Sequence, residues 1–242
     1  MRIPRFYCSE DIILDTPFLL DTEAGHHAAS VLRLRADQAI VLFNGDGNEY
    51  SATIVDIERR KVTVVADACL TLSKESPLPL HLGQGIAKGD RMETVLQKSV
   101  ELGVTTITPL ITERCNVKLD DKRWQKKHEQ WLKILHGACE QSGRNVIPTL
   151  NPATPLAPWL AQSSQQTRVI LAPGSEKPLS GLHYNHQGYR LLIGPEGGLS
   201  DSEVRQASEL GFLPCSMGPR ILRTETAALA SISILQALHG DL

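Results

Sequence analysis

Two short stretches of this chain have residue types and spacing suited to chemistry. In the first, Leu191-Leu192-Ile193 runs straight into Gly194-Pro195-Glu196-Gly197-Gly198, and Ser200 follows with Glu203 three residues on. An apolar strand that feeds a glycine-rich turn and then a capped helix has two readings. Glycines at the carboxyl end of a strand let backbone groups approach a ligand closely. Equally, a tight turn needs their conformational freedom. The loop is not GxGxxG, and no Gly-Lys-Ser/Thr follows, so a phosphate cradle is not favoured. The second stretch is Met217-Gly218-Pro219-Arg220-Ile221-Leu222-Arg223-Thr224-Glu225-Thr226-Ala227, which also joins a strand to a helix. Arg220 and Arg223 stand beside a segment too apolar for the surface, where arginine is usually paired or functional. Glu225 is the candidate pairing partner, and Thr224 the candidate N-cap.

These loops need elements to hold them. In the C-terminal part, strands are expected at 80–86, 106–111, 168–172, 189–193 and 212–217. A helix follows Asp90, capped by it with Glu93 at capping-box spacing and closed by Gly103. A long helix is expected over 121–141, with Trp124, His128, Trp131, Leu135 and Ala138 on one face. Ser200 and Glu203 open a helix that Gly211 closes. The last helix, about 225–239, is apolar almost all round and is expected to be buried. Strands alternating with helices predict an α/β fold with a mostly parallel sheet and helices on both faces. The N-terminal part differs. Runs rich in Val, Ile and Thr at 38–43, 50–57 and 61–66 predict a small β domain. One helix is expected between Glu23 and Leu34, with His27, Val31 and Leu34 on one face. The stretch Ser73-Lys74-Glu75-Ser76-Pro77-Leu78-Pro79 places the boundary, giving domains 1–72 and 73–242.

Composition narrows the classes. With 242 residues, 41% hydrophobic and 21% charged, the chain is an ordinary globular protein rather than a disordered one. No apolar run is long enough to cross a bilayer, and residues 1–7 read as a strand, so no membrane is expected and a cytoplasmic location is. Cys8, Cys69, Cys115, Cys139 and Cys215 are scattered and odd in number, without a CxxC pair. They read as reduced, packed thiols. Adjacent His26 and His27 face different ways on a helix, so no metal site is expected. The net charge of −2 argues against a nucleic-acid partner unless basic residues concentrate locally.

The two loops together, with Val31-Leu32-Arg33, Leu42-Phe43-Asn44-Gly45, Lys88, Asp90-Arg91-Met92-Glu93, Glu101-Leu102-Gly103-Val104, Glu113-Arg114 and Ala138-Cys139-Glu140-Gln141-Ser142-Gly143-Arg144, make the chain recognisable. It resembles the SPOUT superfamily of methyltransferases and, within it, the family that methylates N3 of a uridine in 16S ribosomal RNA. The resemblance covers essentially the whole chain. It implies a C-terminal SPOUT domain whose parallel sheet carries a deep trefoil knot, a rare exception to the rule against knots. It also implies a small N-terminal PUA-like β-barrel that binds RNA. The cofactor implied is S-adenosylmethionine, held by Leu171 and Ala172, by Gly194, Pro195, Glu196 and Gly198, by Met217, Gly218 and Leu222, and by Thr224, Thr226 and Ala227. The implied partners are 16S rRNA in the small ribosomal subunit and a second copy of the chain in a homodimer.

Methyl transfer to N3 requires removing its proton or stabilising the anion left on N3, O2 and O4. A guanidinium facing those oxygens does the second job. Arg223 is the expected catalytic residue, with Glu225 orienting it or shuttling the proton. For RNA binding, Arg2, Arg5, Arg33 and Arg35 are the expected patch, although residues 1–72 carry a net charge of −4. Lys88 and Arg91 are expected either to hold phosphate or to be solvated surface charges. Rival readings are a ribose 2′-O methyltransferase of the same superfamily, a non-catalytic ribosome-assembly factor, and a nucleotide-binding switch. The missing Walker lysine speaks against the last.

Overall fold

The computed structural model describes residues 3–115, 117 and 120–242. The chain divides into two compact units that do not follow chain order. The first is Met1–Glu75 with His136–Ile147; the second is Ser76–Leu135 with Pro148–Leu242.

The first unit holds a five-stranded sheet. Its strands are β1 (Arg5–Tyr7), β2 (Phe18–Leu19), β3 (Ala39–Phe43), β4 (Glu49–Glu58) and β5 (Lys61–Leu70). They lie in the order β1-β3-β4-β5-β2, with β1 parallel to β3 and the other pairs antiparallel. Alternation along β4 and β5 sends Ala52, Ile54, Val62, Val64 and Ala66 into one core with Phe6, Ile40 and Leu42. Register shifts at Ser51/Ala52 and Ile54/Asp56 bend the long hairpin. The single helix expected between Glu23 and Leu34 is instead a short helix α1 (Thr22–His26) continued by a π-helical turn, His27–Val31. Only part of the expected face turns inward: His27 meets the Phe6 ring and Leu34 packs against the core. Ala24, Gly25 and Ala28 are buried, while Val31 is 60% exposed. Small residues win because a Cβ on Gly25 would stand 2.7 Å from the Arg60 carbonyl oxygen.

A polar network explains why 136–147 joins this unit. Arg5 is 9% exposed. Its Nη1 donates to Glu49 Oε2 at 2.6 Å and its Nη2 to Asn145 Oδ1 at 2.6 Å. Asn145 Nδ2 donates to the Leu72 carbonyl, Arg144 Nε donates to Glu75 Oε2 at 2.8 Å, and Glu140 Oε1 accepts from Tyr7 N–H. The buried arginine is tolerated because both of its Nη groups meet fixed acceptors, although its Nε meets none among the described residues. Four cysteines are buried and Cys69 is exposed. Burial pushes the Cys8 and Cys139 thiols up to about 12, so both are held as unreactive thiols.

The second unit is a seven-stranded sheet in which every pair is parallel. Its strands are β6 (Leu80–Gly85), β7 (Thr106–Ile111), β8 (Thr149–Leu150), β9 (Thr154–Pro155), β10 (Thr167–Leu171), β11 (Tyr189–Ile193) and β12 (Leu213–Cys215). They run β12-β10-β11-β6-β7-β8, with β9 also on β7. Central β11 is buried along its whole length, as a parallel strand covered on both faces must be. The helices are α2 (Asp90–Glu101), α3 (Asp121–Ser142, whose last residues belong to the first unit), α4 (Leu156–Leu160), α5 (Asp201–Glu209) and α6 (Thr224–His239). Trp159, Leu160, Ile170, Leu192, Ala207 and Phe212 share a core cluster. Buried Arg190 lies 3.9 Å from the Trp159 ring centroid. Among the described residues, no helix is long and apolar enough to cross a membrane.

Of three expected N-caps, two turn out differently. Asp90 is the first helical residue of α2, not its cap; Gly89 takes that place at φ +54°, and no side chain caps the helix. The left-handed turn at Gly89 moves Asp90 and Glu93 inside the first turn, where they complement the helix dipole, and Glu93 also accepts from Lys127 Nζ at 3.3 Å. Thr224 likewise begins α6 after Arg223, and its hydroxyl is used elsewhere. The expected box on α5 forms: Glu203 N–H donates to Ser200 Oγ, and Ser200 N–H to Glu203 Oε2. Helix α6 is not buried all round. Ala228, Ser231, Ile232, Leu235 and Gln236 are buried, but Leu238 is 47% exposed.

Candidate active site

The carboxyl ends of β10, β11 and β12 deliver three loops to one edge of the sheet, where parallel α/β folds bind ligands. The loops enclose a cavity of about 910 Å³. This is the upper range for small-molecule sites and leaves room for a cofactor and a nucleobase together.

The wall after β11 is tied down at nearly every residue. A Cβ on Gly85, at the end of β6, would stand 2.5 Å from Pro195 N, so only glycine permits this approach. The Gly194 carbonyl accepts from Thr224 Oγ1 at 2.6 Å, and Thr224 Oγ1 in turn accepts from Gln84 Nε2 at 2.9 Å. One hydroxyl therefore joins β6, the glycine loop and the start of α6. Glu196 Oε1 accepts from Lys88 N–H and from Arg91 Nη1, each at 2.9 Å. Partial burial pushes the Glu196 carboxyl up, but these hydrogen bonds and the Arg91 charge outweigh it and hold the group below the usual carboxylate range. Arg114 Nη1 donates to the Gly197 carbonyl at 2.9 Å. The capping-box carboxylate has a second task, since Glu203 Oε1 accepts from Glu113 N–H at 2.8 Å.

The lining is apolar where Leu171, Ile193, Met217 and Leu222 face it, and charged at Arg91, Arg114, Arg205, Arg220 and Arg223 against Glu196, Asp201 and Glu225. Glu225 Oε2 is buried without a hydrogen-bond partner among the described residues, and so is Gln84 Oε1. A buried carboxylate oxygen without a donor is costly. On a cavity wall it is a seat for a ligand N–H.

The structure gathers nearly all of the sequence-identified pocket. Leu171, Ala172, Gly194, Pro195, Glu196, Gly198, Met217, Gly218, Leu222, Thr224 and Ala227 line the cavity, with Arg223 and Glu225. Thr226 does not; it is exposed beyond the rim, one helical step past Glu225. Arg223 and Glu225 share the cavity but make no ion pair, so the geometry gives no support to Glu225 orienting the arginine. Arg91 lines the cavity, whereas Lys88 meets Glu196 with its backbone N–H and not its ammonium. Of the expected RNA patch, one member is withdrawn from the surface. Arg5 is buried in its ion-paired network, Arg33 and Arg35 are exposed, and Arg2 lies outside the described residues. Arg114, Arg205 and Asp201 join the lining without having been singled out as site residues. Their signal was position: Arg114 follows β7 at the sheet's carboxyl edge, and Asp201 and Arg205 lie on the helix opened by the glycine loop.

Comparison with known proteins places this geometry. The RNA methyltransferase domain family matches residues 74–236, and the RNA methyltransferase PUA domain family matches residues 20–67. A methyltransferase of Legionella pneumophila, solved with bound S-adenosylmethionine, is 46% identical with a TM-score of 0.97 over 100% of both chains. The ribosomal RNA small subunit methyltransferase E of Neisseria gonorrhoeae, also solved bound to S-adenosylmethionine, is 38% identical with a TM-score of 0.92 over 100% of both chains. The protein of that name from Buchnera aphidicola subsp. Schizaphis graminum is 36% identical over 100% of this chain and 98% of its own length. A parallel sheet with a strand-end cavity, a five-stranded N-terminal sheet, and end-to-end similarity at this level lead to one conclusion: the chain belongs to the ribosomal RNA small subunit methyltransferase E family of RNA methyltransferases.

Proposed function

We propose that the protein methylates N3 of a uridine in the 16S rRNA of the small ribosomal subunit, with S-adenosylmethionine as donor. The observation that carries this reading is the cavity that Arg223 and the unpartnered Glu225 Oε2 line together with the fixed glycine loop. The relatives' names and their bound S-adenosylmethionine support the donor and the RNA class.

The residues present suit such a donor. Leu171, Met217 and Leu222 offer apolar surface, and the glycine loop offers backbone groups at close range. When bound, S-adenosylmethionine supplies an electrophilic methyl group on a sulfonium. The protein must then make N3 nucleophilic and hold it in line. In the proposed mechanism Glu225 Oε2 takes the N3 proton, and the Arg223 guanidinium stabilises the negative charge spread over O2 and O4. Arginine stays protonated throughout, so it acts as an electrostatic partner and not as the base. Placing both groups within one turn at the start of α6 fixes their spacing.

The trefoil knot belongs to the same proposal. Support comes from the Thr224–Gly194 hydrogen bond and the approach of Gly85 to Pro195, which hold the start of α6 against the loop after β11. A homodimer is proposed as well, supported by the partly exposed apolar residues Leu229, Ile234 and Leu238 on α6. The test is incubation of the protein with labelled S-adenosylmethionine and small subunits from cells lacking the gene, followed by mass spectrometry of the RNA nucleosides. N3-methyluridine is expected. A ribose-methylated nucleoside would overturn the choice of atom, and no transfer despite bound cofactor would overturn the enzymatic reading.

A further inference from the structure

Ile221 is the most solvent-exposed large hydrophobic residue among the described residues, at 86%. A lone exposed isoleucine is ordinary on a protein surface. This one stands on the rim of the active-site cavity, in the loop between β12 and α6. It is flanked by Arg220 and Arg223, both exposed and neither in an ion pair among the described residues. Arg205 and Arg114 line the same cavity. An apolar side chain projecting between cations, beside a cavity with room for a base, suits an RNA strand with a base removed from its stack.

Resting on the methylation reading above, we propose that Ile221 is a wedge that fills the stack vacated by the target uridine, while Arg220 holds an adjacent phosphate. N3 lies on the pairing edge of uracil, so the base must leave its stack to reach the cavity. The vacancy left behind is apolar and flat, and inserted aliphatic side chains stabilise such gaps between base steps. The Arg220 guanidinium suits a neighbouring phosphate through paired N–H donors, while Arg223 serves the proposed chemistry at the displaced base. A second copy of this chain suits the loop less well. A two-fold contact centred on Ile221 would bring Arg220 and Arg223 of both copies together, whereas RNA supplies the opposite charge.

The experiment compares Ile221→Ala and Ile221→Leu with the unaltered protein, using small subunits from cells lacking the gene as substrate. Methyl transfer, S-adenosylmethionine affinity by calorimetry and molar mass by light scattering are measured on each. Ile221→Ala is expected to lose about tenfold or more in kcat/KM for subunits, while cofactor affinity stays within about twofold and the mass does not change. Ile221→Leu is expected to keep most of the activity. An alanine variant as active as the unaltered protein overturns the wedge. So does a parallel loss of cofactor affinity, which would make Ile221 part of the cofactor pocket, or a fall in mass, which would make it a contact between copies. If the unaltered protein transfers no methyl group to subunits, the methylation reading falls first and the wedge with it.

Discussion

The two loops that build the cavity are held in opposite ways. From Gly194 to Gly198, carbonyls, a carboxylate and an N–H all have partners: Thr224, Lys88, Arg91, Arg114 and Pro195. From Gly218 to Arg223, no side chain makes a hydrogen bond or ion pair among the described residues, and Arg220, Ile221 and Arg223 are exposed. Both loops follow parallel strands and both lead into helices, so topology does not explain the contrast. A division of labour does. A wall that presents backbone groups to a small cofactor must be fixed beforehand, because misplacement by an ångström is expensive. A rim that meets a large, charged polymer gains its partners only when that polymer arrives. In the proposed mechanism, the unsatisfied side chains of Arg220, Ile221 and Arg223 belong to the substrate and the satisfied glycine loop to the cofactor.

The largest expected effect tests the substrate side at its inner end. Arg223→Ala should lower kcat by about 10²–10³-fold, the usual loss when one oxyanion donor is removed, while S-adenosylmethionine affinity changes little. Stopped-flow transfer assays with calorimetry separate the two. A matching loss of cofactor binding would erase the division between loops. Next in size is the tie on the cofactor side. Thr224→Val leaves the Gly194 carbonyl and Gln84 Nε2 without their shared partner in a buried place. Gln84 Nε2 keeps the Gly85 carbonyl at 2.9 Å and reaches the Gly194 carbonyl at 3.5 Å, so the loss is that of the Gly194 carbonyl's short bond, about 1 kcal/mol, or roughly a fivefold weaker hold on the cofactor. Thr224→Ser should restore it. If the valine variant binds S-adenosylmethionine normally, the glycine loop does not depend on this hydroxyl.

How much of this was legible beforehand follows from the range of the interactions. The parallel strands and the helices of the second unit were readable because burial on both faces writes long apolar runs and strict helical spacing into local sequence. The pocket residues came from the resemblance, and the strand-to-helix junctions agree with it. The fate of Arg5 was not readable: its partners Glu49 and Asn145 lie 44 and 140 residues away. An arginine near the start of an acidic unit looks like an RNA contact until those acceptors are placed around it. The π-helical turn was hidden for another reason. His27, Val31 and Leu34 fit helical spacing, but close packing of Gly25 on the Arg60 carbonyl decides which face turns inward. At Asp90 and Thr224 the residue types were those of caps. What won was the geometry of the entering chain, through Gly89 in one case and Gly194 in the other.

Two smaller effects probe the loops from outside. Arg220→Ala should weaken binding to small subunits by about fivefold and reduce the slope of log affinity against log salt by about one, the signature of one lost phosphate contact. An unchanged slope would remove Arg220 from the RNA side.

The smallest effect concerns Glu196, the exposed anchor of the tied loop. Its carboxyl is held below the usual range in the folded protein. A depressed acid favours the fold above its unfolded pKa of about 4.3, and that contribution disappears as pH falls through the lower folded value. Thermal unfolding should therefore show a small loss below about pH 4 that Glu196→Gln lacks. Near neutral pH the glutamine variant should be destabilised by no more than about 1 kcal/mol, and less as salt rises, because the Arg91 pair is open to solvent. A loss of several kcal/mol would mean that an exposed ion pair holds the loop. A small loss leaves the restraint with the buried contacts of Gly85, Gly194 and Thr224, which salt and pH do not reach. The cofactor wall would then stay in place across the ionic conditions that loosen RNA from the opposite rim.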